Sequence, residues 1–528
     1  MLQAEKGYHY CAHKTKEFEK LQSKLRDRSL GIDLFDGDGC DILVVPSFSV
    51  DQSVAAKVSG LLHYEERLLF SLIRLRNPHT RTIYVSAIPL CPIIVDYYLQ
   101  LLPGIPSSHA RARLLLTSTY DASLKPLTQK ILERPRLVER LKRSLRPGKS
   151  YMVCYNSTIL EQELSLKLGI PLLAASPSLL YWGSKSGSRE IFAESNIPHP
   201  DGSIKLTSID DLILASAQLW ERQPQLTRMV IKLNEGFSGE GNAILDLRKI
   251  QDYAPGNASH SDRATAIKNS LPYLRFQAPN ETWEKFSSRI PKLGAIVEAF
   301  IEGEQKTSPS FQGYITPNGE VQVLSTHDQI LGGPDGQIYL GCRFPAAETY
   351  RLQIQEMGIR AGIALAKKGA IERYGVDFLA VRKSDNSWDI QAIEINLRKG
   401  GTTHPFMTLK FLTNGNYDRK TGSFYSQEDR AKYYIASDNL QKESYKGLLP
   451  EDLMDIIAKH NLHFDSSNKT GSVFHLMGAL SEFGKLGLTC IGNSLEEAQE
   501  YYDRVEEVLD KESKLSFDSN SSLPITWI

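Results

Sequence analysis

The sequence predicts an α/β fold that passes into α+β towards its C-terminal end. Three observations predict it. Short, wholly apolar runs alternate with helical patterns before residue 182, the signature of parallel strands buried on both faces. Between residues 295 and 343 the apolar residues alternate instead, as in strands with one face exposed. A hairpin then follows, from Tyr374-Gly-Val-Asp-Phe378 to Ala392-Ile-Glu-Ile-Asn-Leu-Arg398.

Residues 1–30 read as a polar helix or tail. Asp41–Pro46, Thr82–Ser86 and Tyr151–Cys154 are the buried strands. Ile159/Leu160, Leu164 and Leu168 recur at helical spacing up to Gly169-Ile-Pro171, a stop signal, and Pro171–Ala175 reads as a further strand. An α/β layer is therefore expected over about residues 31–182. Helices follow at Lys185–Ser195 and 207–222, with strands at 228–233 and 242–247. Pro255 to about Ser270 is polar and reads as a loop. Strands are expected at 295–301, 309–316, 320–325 and 337–343, and a long helix near 346–369. Residues 415–429 are rich in turn formers. The tail alternates strand and helix: Ser472–Leu476, Leu486–Ile491 and a helix near 494–513. The last fifteen residues are expected to be poorly ordered.

The hairpin carries the chemistry. Glu394, Asn396 and Arg398 are two apart and project to one side of a strand. If Asp385-Asn386 is a two-residue loop, Asp377 faces Glu394 on the neighbouring strand. Facing carboxylates repel. A divalent cation would remove the conflict, and Asp, Glu and Asn oxygens suit Mg²⁺ bridging substrate phosphates. The expectation is a Mg²⁺–nucleotide site on Asp377, Glu394 and Asn396.

Other segments could hold the nucleotide. The strand ending at Lys232 runs into Gly236-Phe-Ser-Gly-Glu-Gly241, where Gly236, Ser238, Gly239 and Gly241 would let backbone N–H groups approach phosphate. Lys232 would neutralise phosphate charge, although an ordinary hairpin loop with a surface lysine has the same look. In Ile296-Val-Glu298-Ala-Phe-Ile301-Glu-Gly-Glu304, backbone groups of Ala299 and Ile301 could meet an adenine edge, and a carboxylate could accept from ribose. His327, in Ser325-Thr-His-Asp-Gln329, reads either as a general acid or base or as a hydrogen-bonded structural histidine. His9, Cys11 and His13 could chelate a metal, but sit in a polar tail. Gly183-Ser-Lys185 lacks P-loop spacing, no G-x-G-x-x-G is present, and no G-x-S-x-G elbow occurs.

Composition excludes several classes. Of 528 residues, 62 are basic and 62 acidic, so net charge gives no case for nucleic acid or an anionic membrane. Residues 111–149 hold eleven Lys/Arg against three Asp/Glu, and 490–513 hold eight Asp/Glu against two Lys/Arg; both read as solvated helical faces. Six scattered cysteines argue against a disulfide framework and fit a reducing cytosol. The charged start, Met1-Leu-Gln-Ala-Glu-Lys, lacks the apolar core of a secretory leader. The most apolar stretch, 83–106, is broken by Pro89, Pro92, Asp96 and Pro103 and is not a membrane span.

In order along the chain, Lys185, Lys232, Gly236–Gly241, Val297–Ile301, Val376-Asp377-Phe378 and Glu394-Ile-Asn-Leu-Arg398 resemble the ATP-grasp superfamily. Gly183–Arg189, Leu324–Gly333, Tyr339–Phe344, Glu394–Pro405 and Phe474–Lys485 resemble, within it, the peptide ligases of the pheganomycin-biosynthesis type. The resemblance implies a pre-ATP-grasp α/β domain over 1–182, an ATP-grasp domain over 183–440 and a small C-terminal α+β domain over 441–528. It implies a cytoplasmic carboxylate–amine ligase that uses ATP and Mg²⁺ or Mn²⁺, acts through an acyl phosphate, and is a homodimer. An ATP-grasp kinase, a thioester-forming ligase and a non-catalytic nucleotide-binding module are the alternatives. ATP would contact Lys185, Lys232, the glycine loop, Glu298, Ala299, Ile301 and Glu304. D-alanine ligase-type members have an Arg two residues before the Asp of V-D-F, where this chain has Gly375, so the catalytic Arg implied is Arg398, with Lys232. His327, Arg343, Lys399, Thr402, Thr403 and His404 are the candidates for the substrate carboxylate.

Overall fold

The computed structural model describes residues 14–26, 39–50, 55–235, 241–278, 281–332 and 338–515. Gly236, Ser238 and Gly239, the His9–His13 segment and the last thirteen residues lie outside them. Four parallel strands come first: β1 (Asp41–Val45), β2 (Arg81–Ser86), β3 (Leu114–Ser118) and β4 (Ser150–Cys154), in the order β3-β2-β1-β4. Their apolar runs are continuous because both faces are covered. Ile42 and Val44 enter one core with Leu69, Tyr84 and Phe474, while Leu43 and Val45 enter another with Leu141 and Leu164. Helix α1 (Ile159–Leu168) is capped by Thr158 and stopped by Gly169 at φ 69°. Two expectations fail here. Pro171–Ala175 makes only an isolated bridge, Met152 to Leu172. The basic stretch 111–149 is not all helix, since β3 forms the partly exposed edge of the sheet.

Helix α2 (Lys185–Glu194) and helix α3 (Ile209–Arg222) lead into an antiparallel sheet of β5 (Arg228–Leu233), β6 (Asn242–Asp246), β7 (Arg275–Phe276) and β8 (Ala295–Ala299), ordered β7-β6-β5-β8. The polar 255–270 stretch, read as a loop, holds a helix over His260–Ser270. Ser259 caps it by accepting the Asp262 N–H, and it buries Arg263, Ala266 and Ile267.

The largest sheet is built from β9 (Lys306–Thr307), β10 (Pro309–Ile315), β11 (Val321–Gly332), β12 (Ile338–Phe344), β13 (Glu372–Arg382), β14 (Trp388–Asn396), β15 (Asn416–Asp418), β16 (Ser423–Tyr425), β17 (Ala431–Gln441), β18 (Gly471–His475) and β19 (Lys485–Gly492). Its main path is β14-β13-β10-β11-β12-β17, and β17 also pairs with β19. The sheet therefore runs without a break from the predicted hairpin into the tail. The turn-rich 415–429 segment contributes the two short strands β15 and β16 to it.

Helix α4 (Arg351–Lys367) covers one face of this sheet. It lies close because Gly358 and Gly362 face Phe311 and Tyr374: an added Cβ would come within 2.2 Å of the Phe311 ring and 2.0 Å of the Tyr374 hydroxyl. Tyr374 Oη donates to the Gly358 carbonyl. Helix α5 (Thr403–Thr413) follows the hairpin, and helix α6 (Leu495–Leu515) packs on β17 and β19. Val505 and Leu509 share a core with Tyr314, Phe344 and the N-terminal sheet.

Candidate functional site

The hairpin pairs Asp377 with Glu394 and Gly375 with Asn396. The route to that register differs from the two-residue loop expected. Lys383 N–H bonds the Ser387 carbonyl and Asn386 N–H the Lys383 carbonyl, leaving a three-residue loop, Ser384–Asn386, with Asn386 at φ 67°. A bulge between the Asp377 and Phe378 pairs then restores the register, with Ile393 as the extra residue. The bulge also switches faces. Before it, Ile390 and Ala392 are buried; after it, Ile395 and Leu397 are, while Ile393, Glu394, Asn396 and Arg398 line a cleft. Bulges next to functional sites re-aim side chains in this way.

Asp377 accepts hydrogen bonds from Gln329 Nε2 at 2.8 Å and Asn396 Nδ2 at 2.9 Å. Burial first, and the facing Glu394 second, push its carboxyl up to about 7, against the pull of Arg398 and the two amides. Glu394 Oε1 lies 3.6 Å from Lys185 Nζ. Lys185 is held there by its helix. Ser184 caps α2 by accepting the Gly187 N–H, and the Lys185 and Ser186 N–H groups bond Asn234, just beyond β5. On its other side α2 is tied to β14, where the Ile395 N–H donates to Ser188 Oγ at 2.9 Å. One helix thus clamps the small sheet to the large one.

Across the cleft, Lys232 Nζ stands 2.6 Å from Glu298 Oε2, and Arg189 donates to Oε1 at 2.8 Å. Glu298 is 2% exposed. Burial alone would raise its pKa, yet the two cations outweigh burial and hold it below the ordinary glutamate value. Ala299 and Ile301 line the cleft. The Ala299 N–H is occupied by the Asp201 carbonyl, and the Ile301 carbonyl accepts Lys306 Nζ at 2.6 Å. Glu304 is exposed and is not among the cleft residues, nor is Gly241, whose carbonyl accepts the Leu233 N–H.

The cleft measures about 1130 Å³ and also takes in Arg343 and Thr402. Four other candidates turn away from it. His327 shares the sheet face of Asp377, since both pair with Ser310, but it is wholly buried, bonded to the Tyr434 hydroxyl and packed on Phe344. Burial drives its pKa down to about 3, so it is a neutral structural histidine. His404 is also buried, stacked on His475 at 4.1 Å and bonded to Tyr98 Oη. Thr403 Oγ1 is used by the Gly400 N–H. Lys399 is buried against Glu372 at 2.8 Å. Gln329, Arg189 and Lys306 were not anticipated. Arg189 stands four residues after Lys185, on the same helix face, a signal the spacing offered.

Among the described residues no cluster of three or more His, Cys, Asp or Glu side chains is placed to hold a metal. Two carboxylates and an amide are what the hairpin offers, a set that suits a hard cation sharing its shell with ligand oxygens.

The IQCH-like ATP-grasp family pattern matches residues 178–271 and 275–420, and the PGM1 C-terminal domain pattern matches 452–505. L-propargylglycine–L-glutamate ligase of Streptantibioticus cattleyicolor is 29% identical over 474 residues, covering 88% of this chain and 92% of that protein. IQ motif-containing protein H of Danio rerio is 23% identical over 418 residues, covering 72% of this chain but 39% of that longer protein. Among solved structures, the ATP-complexed biotin carboxylase of Campylobacter jejuni superposes with a TM-score of 0.53 at 12% identity, covering 90% of this chain and 95% of its own. The expected resemblance is borne out: the chain has the ATP-grasp fold, with that family's sequence pattern across residues 178–420.

Proposed function

We propose that this protein is an ATP-dependent carboxylate–amine ligase acting on amino acids or short peptides in the cytoplasm. The observation that carries the proposal is the hairpin pair Asp377–Glu394, set across one cleft from Lys232 and beside Lys185. Facing carboxylates are unfavourable alone and favourable once a dication joins them. Asp377, Glu394 and Asn396 would hold Mg²⁺. When bound, the ion would neutralise charge on the β- and γ-phosphates.

The chain's own groups do the rest. Lys185 and Lys232 would bind phosphate oxygens, and Ala299 to Ile301 would flank the base. A substrate carboxylate oxygen attacks the γ-phosphorus, giving an acyl phosphate and ADP. An amine then attacks the acyl carbon, phosphate leaves, and the amine's proton is lost to solvent. Arg398 would stabilise charge on the transferring phosphoryl group and on the tetrahedral intermediate. In this reading residues 183–440 handle the nucleotide, while 1–182 and 441–528 supply the substrate side. The ligase relative, named for two amino acids and matching nearly the whole chain, supports that class of substrate. Among the described residues no helix is long and apolar enough to cross a membrane.

The test is ADP release by purified protein with Mg²⁺-ATP against a panel of amino acids and short peptides, with mass spectrometry of products. A product equal to two panel members minus water, absent with Glu394→Gln, is the expected result. ADP with only a phosphorylated product would replace the ligase by a kinase. ATP binding without turnover on any panel member would replace it by a binding module.

A further inference from the structure

The cleft has a second end. In the sheet, β17 and β19 stand four and five strands from β13, about 19 and 24 Å along the sheet at roughly 4.8 Å per strand. Both strands still contribute to the same cleft, through Asp438 and Lys485. There they meet residues from the N-terminal segment: Tyr64 and Arg67, on the 3₁₀ helix Leu61–Arg76, and Tyr155, just after β4.

The charges at this end do not balance. Arg67 is 7% exposed and lies between the rings of Tyr64 and Tyr155, at 4.9 and 4.6 Å. It donates to the Tyr155 hydroxyl and pairs with Asp438 at 3.5 Å. Asp438 is engaged again by His475 Nε2 at 2.7 Å. Lys485 is 4% exposed, and its Nζ donates to the Tyr64 hydroxyl at 2.8 Å. Among the described residues no carboxylate pairs with Lys485. A buried ammonium facing a neutral phenol is costly, and here it opens on the cleft. Two fixed cations against one carboxylate leave the far end asking for an anion.

That anion is not the carboxylate to be activated, which must meet the γ-phosphate in front of β13 and β14. The Lys485 side chain and the bound phosphates shorten the span. What remains suits a substrate of one to a few residues, at roughly 3.3 Å per extended residue. We propose that Lys485, with the Tyr64 hydroxyl, binds the unactivated carboxylate of the amino acid or peptide that supplies the amine. Arg67, Asp438 and His475 are positioning residues that fix the two tyrosines around it. The proposal rests on the ligase reading above and assigns the acceptor end of its cleft.

The experiment offers the twenty common L-amino acids as amine substrates, each as the free acid and as its α-carboxamide. Wild type, Lys485→Met and Lys485→Arg are compared in KM and kcat. Wild type should favour free acids by about 10- to 100-fold in KM, the value of one charge-assisted hydrogen bond. Lys485→Met should lose that preference with the KM for ATP unchanged, and Lys485→Arg should keep it. Retention of the full preference in Lys485→Met overturns the assignment. A binding arm uses calorimetry of the same acids and carboxamides with Mg²⁺-ADP present. If no amide product forms at all, the ligase reading fails. Equal binding of acids by wild type and Lys485→Met overturns the anion site whether or not turnover occurs.

Discussion

Two carboxylates border the same cleft from different sheets, and they stand in opposite electrostatic conditions. Glu298, on β8, is buried between Lys232 and Arg189 and stays ionised despite its burial. Asp377, on β13, faces another carboxylate and two amides, and its proton affinity is raised. The first is satisfied by the chain alone. The second is satisfied only when something positive arrives. A carboxylate completed by its own fold serves structure, here by holding Lys232 in place, whereas one left incomplete marks where a ligand belongs.

The largest effect that would break this comparison is on stability. Glu298→Gln leaves Lys232 and Arg189 buried without their carboxylate, and removing one partner of a buried pair costs about 3–5 kcal/mol. Thermal melts should show a large fall, and an unchanged midpoint would mean that Glu298 is not the keystone of its side. Glu394→Gln should cost far less, because the repulsion it removes from Asp377 offsets the partner it takes from Lys185 at 3.6 Å, and the melting point without Mg²⁺ should change little. Ligation should nevertheless drop by several kcal/mol of transition-state stabilisation, on the order of 10³-fold.

Ligand linkage sharpens the contrast further. Mg²⁺ with a non-hydrolysable ATP analogue at 100 times its Kd should stabilise wild type by about 2.7 kcal/mol. Asp377→Asn should lose most of that gain, and an undiminished gain would remove the metal from the hairpin. The smallest effect is on pH. The folded pKa of Glu298 lies below its ordinary value of 4.5. Below that value the unfolded chain binds the proton first, so the stability from Glu298 is complete above about pH 4.5. It is lost as pH falls through the depressed folded value. Acid titration of the melting point should show a shallower slope in Glu298→Gln.

The hairpin was legible because strand parity and facing charge are local properties. Its order among the other motifs, Lys185 to Arg398, was legible because the family keeps that order. What escaped had non-local causes. His327 lies on the correct face of β11, but only the packing of Phe344 and Tyr434 shows that it is too deep to meet a ligand. His404 follows the hairpin closely in sequence, yet its helix turns it towards His475, about seventy residues on. The polar helix 260–270 was hidden because its caps, not its apolar content, hold its start. At the far end of the cleft His475 and Lys485 fall within the Phe474–Lys485 motif, but nothing in the sequence joined them to Arg67 and Asp438, which are brought to them by the Leu61–Arg76 helix and by the sheet continuing from β12 through β17 into β19.

The bulge at Ile393 carries one further consequence. The outer half of the hairpin points its even-numbered β14 residues into the core, and the inner half points its odd-numbered ones there. The strand is thus written in two reading frames joined at a single residue. Drift in the outer frame can alter core packing, loop length and twist while the inner frame keeps Glu394, Asn396 and Arg398 aimed at the cleft. The join separates the half of the strand that only packs from the half that faces the cleft, and it lies one residue from the Asp377–Glu394 pair.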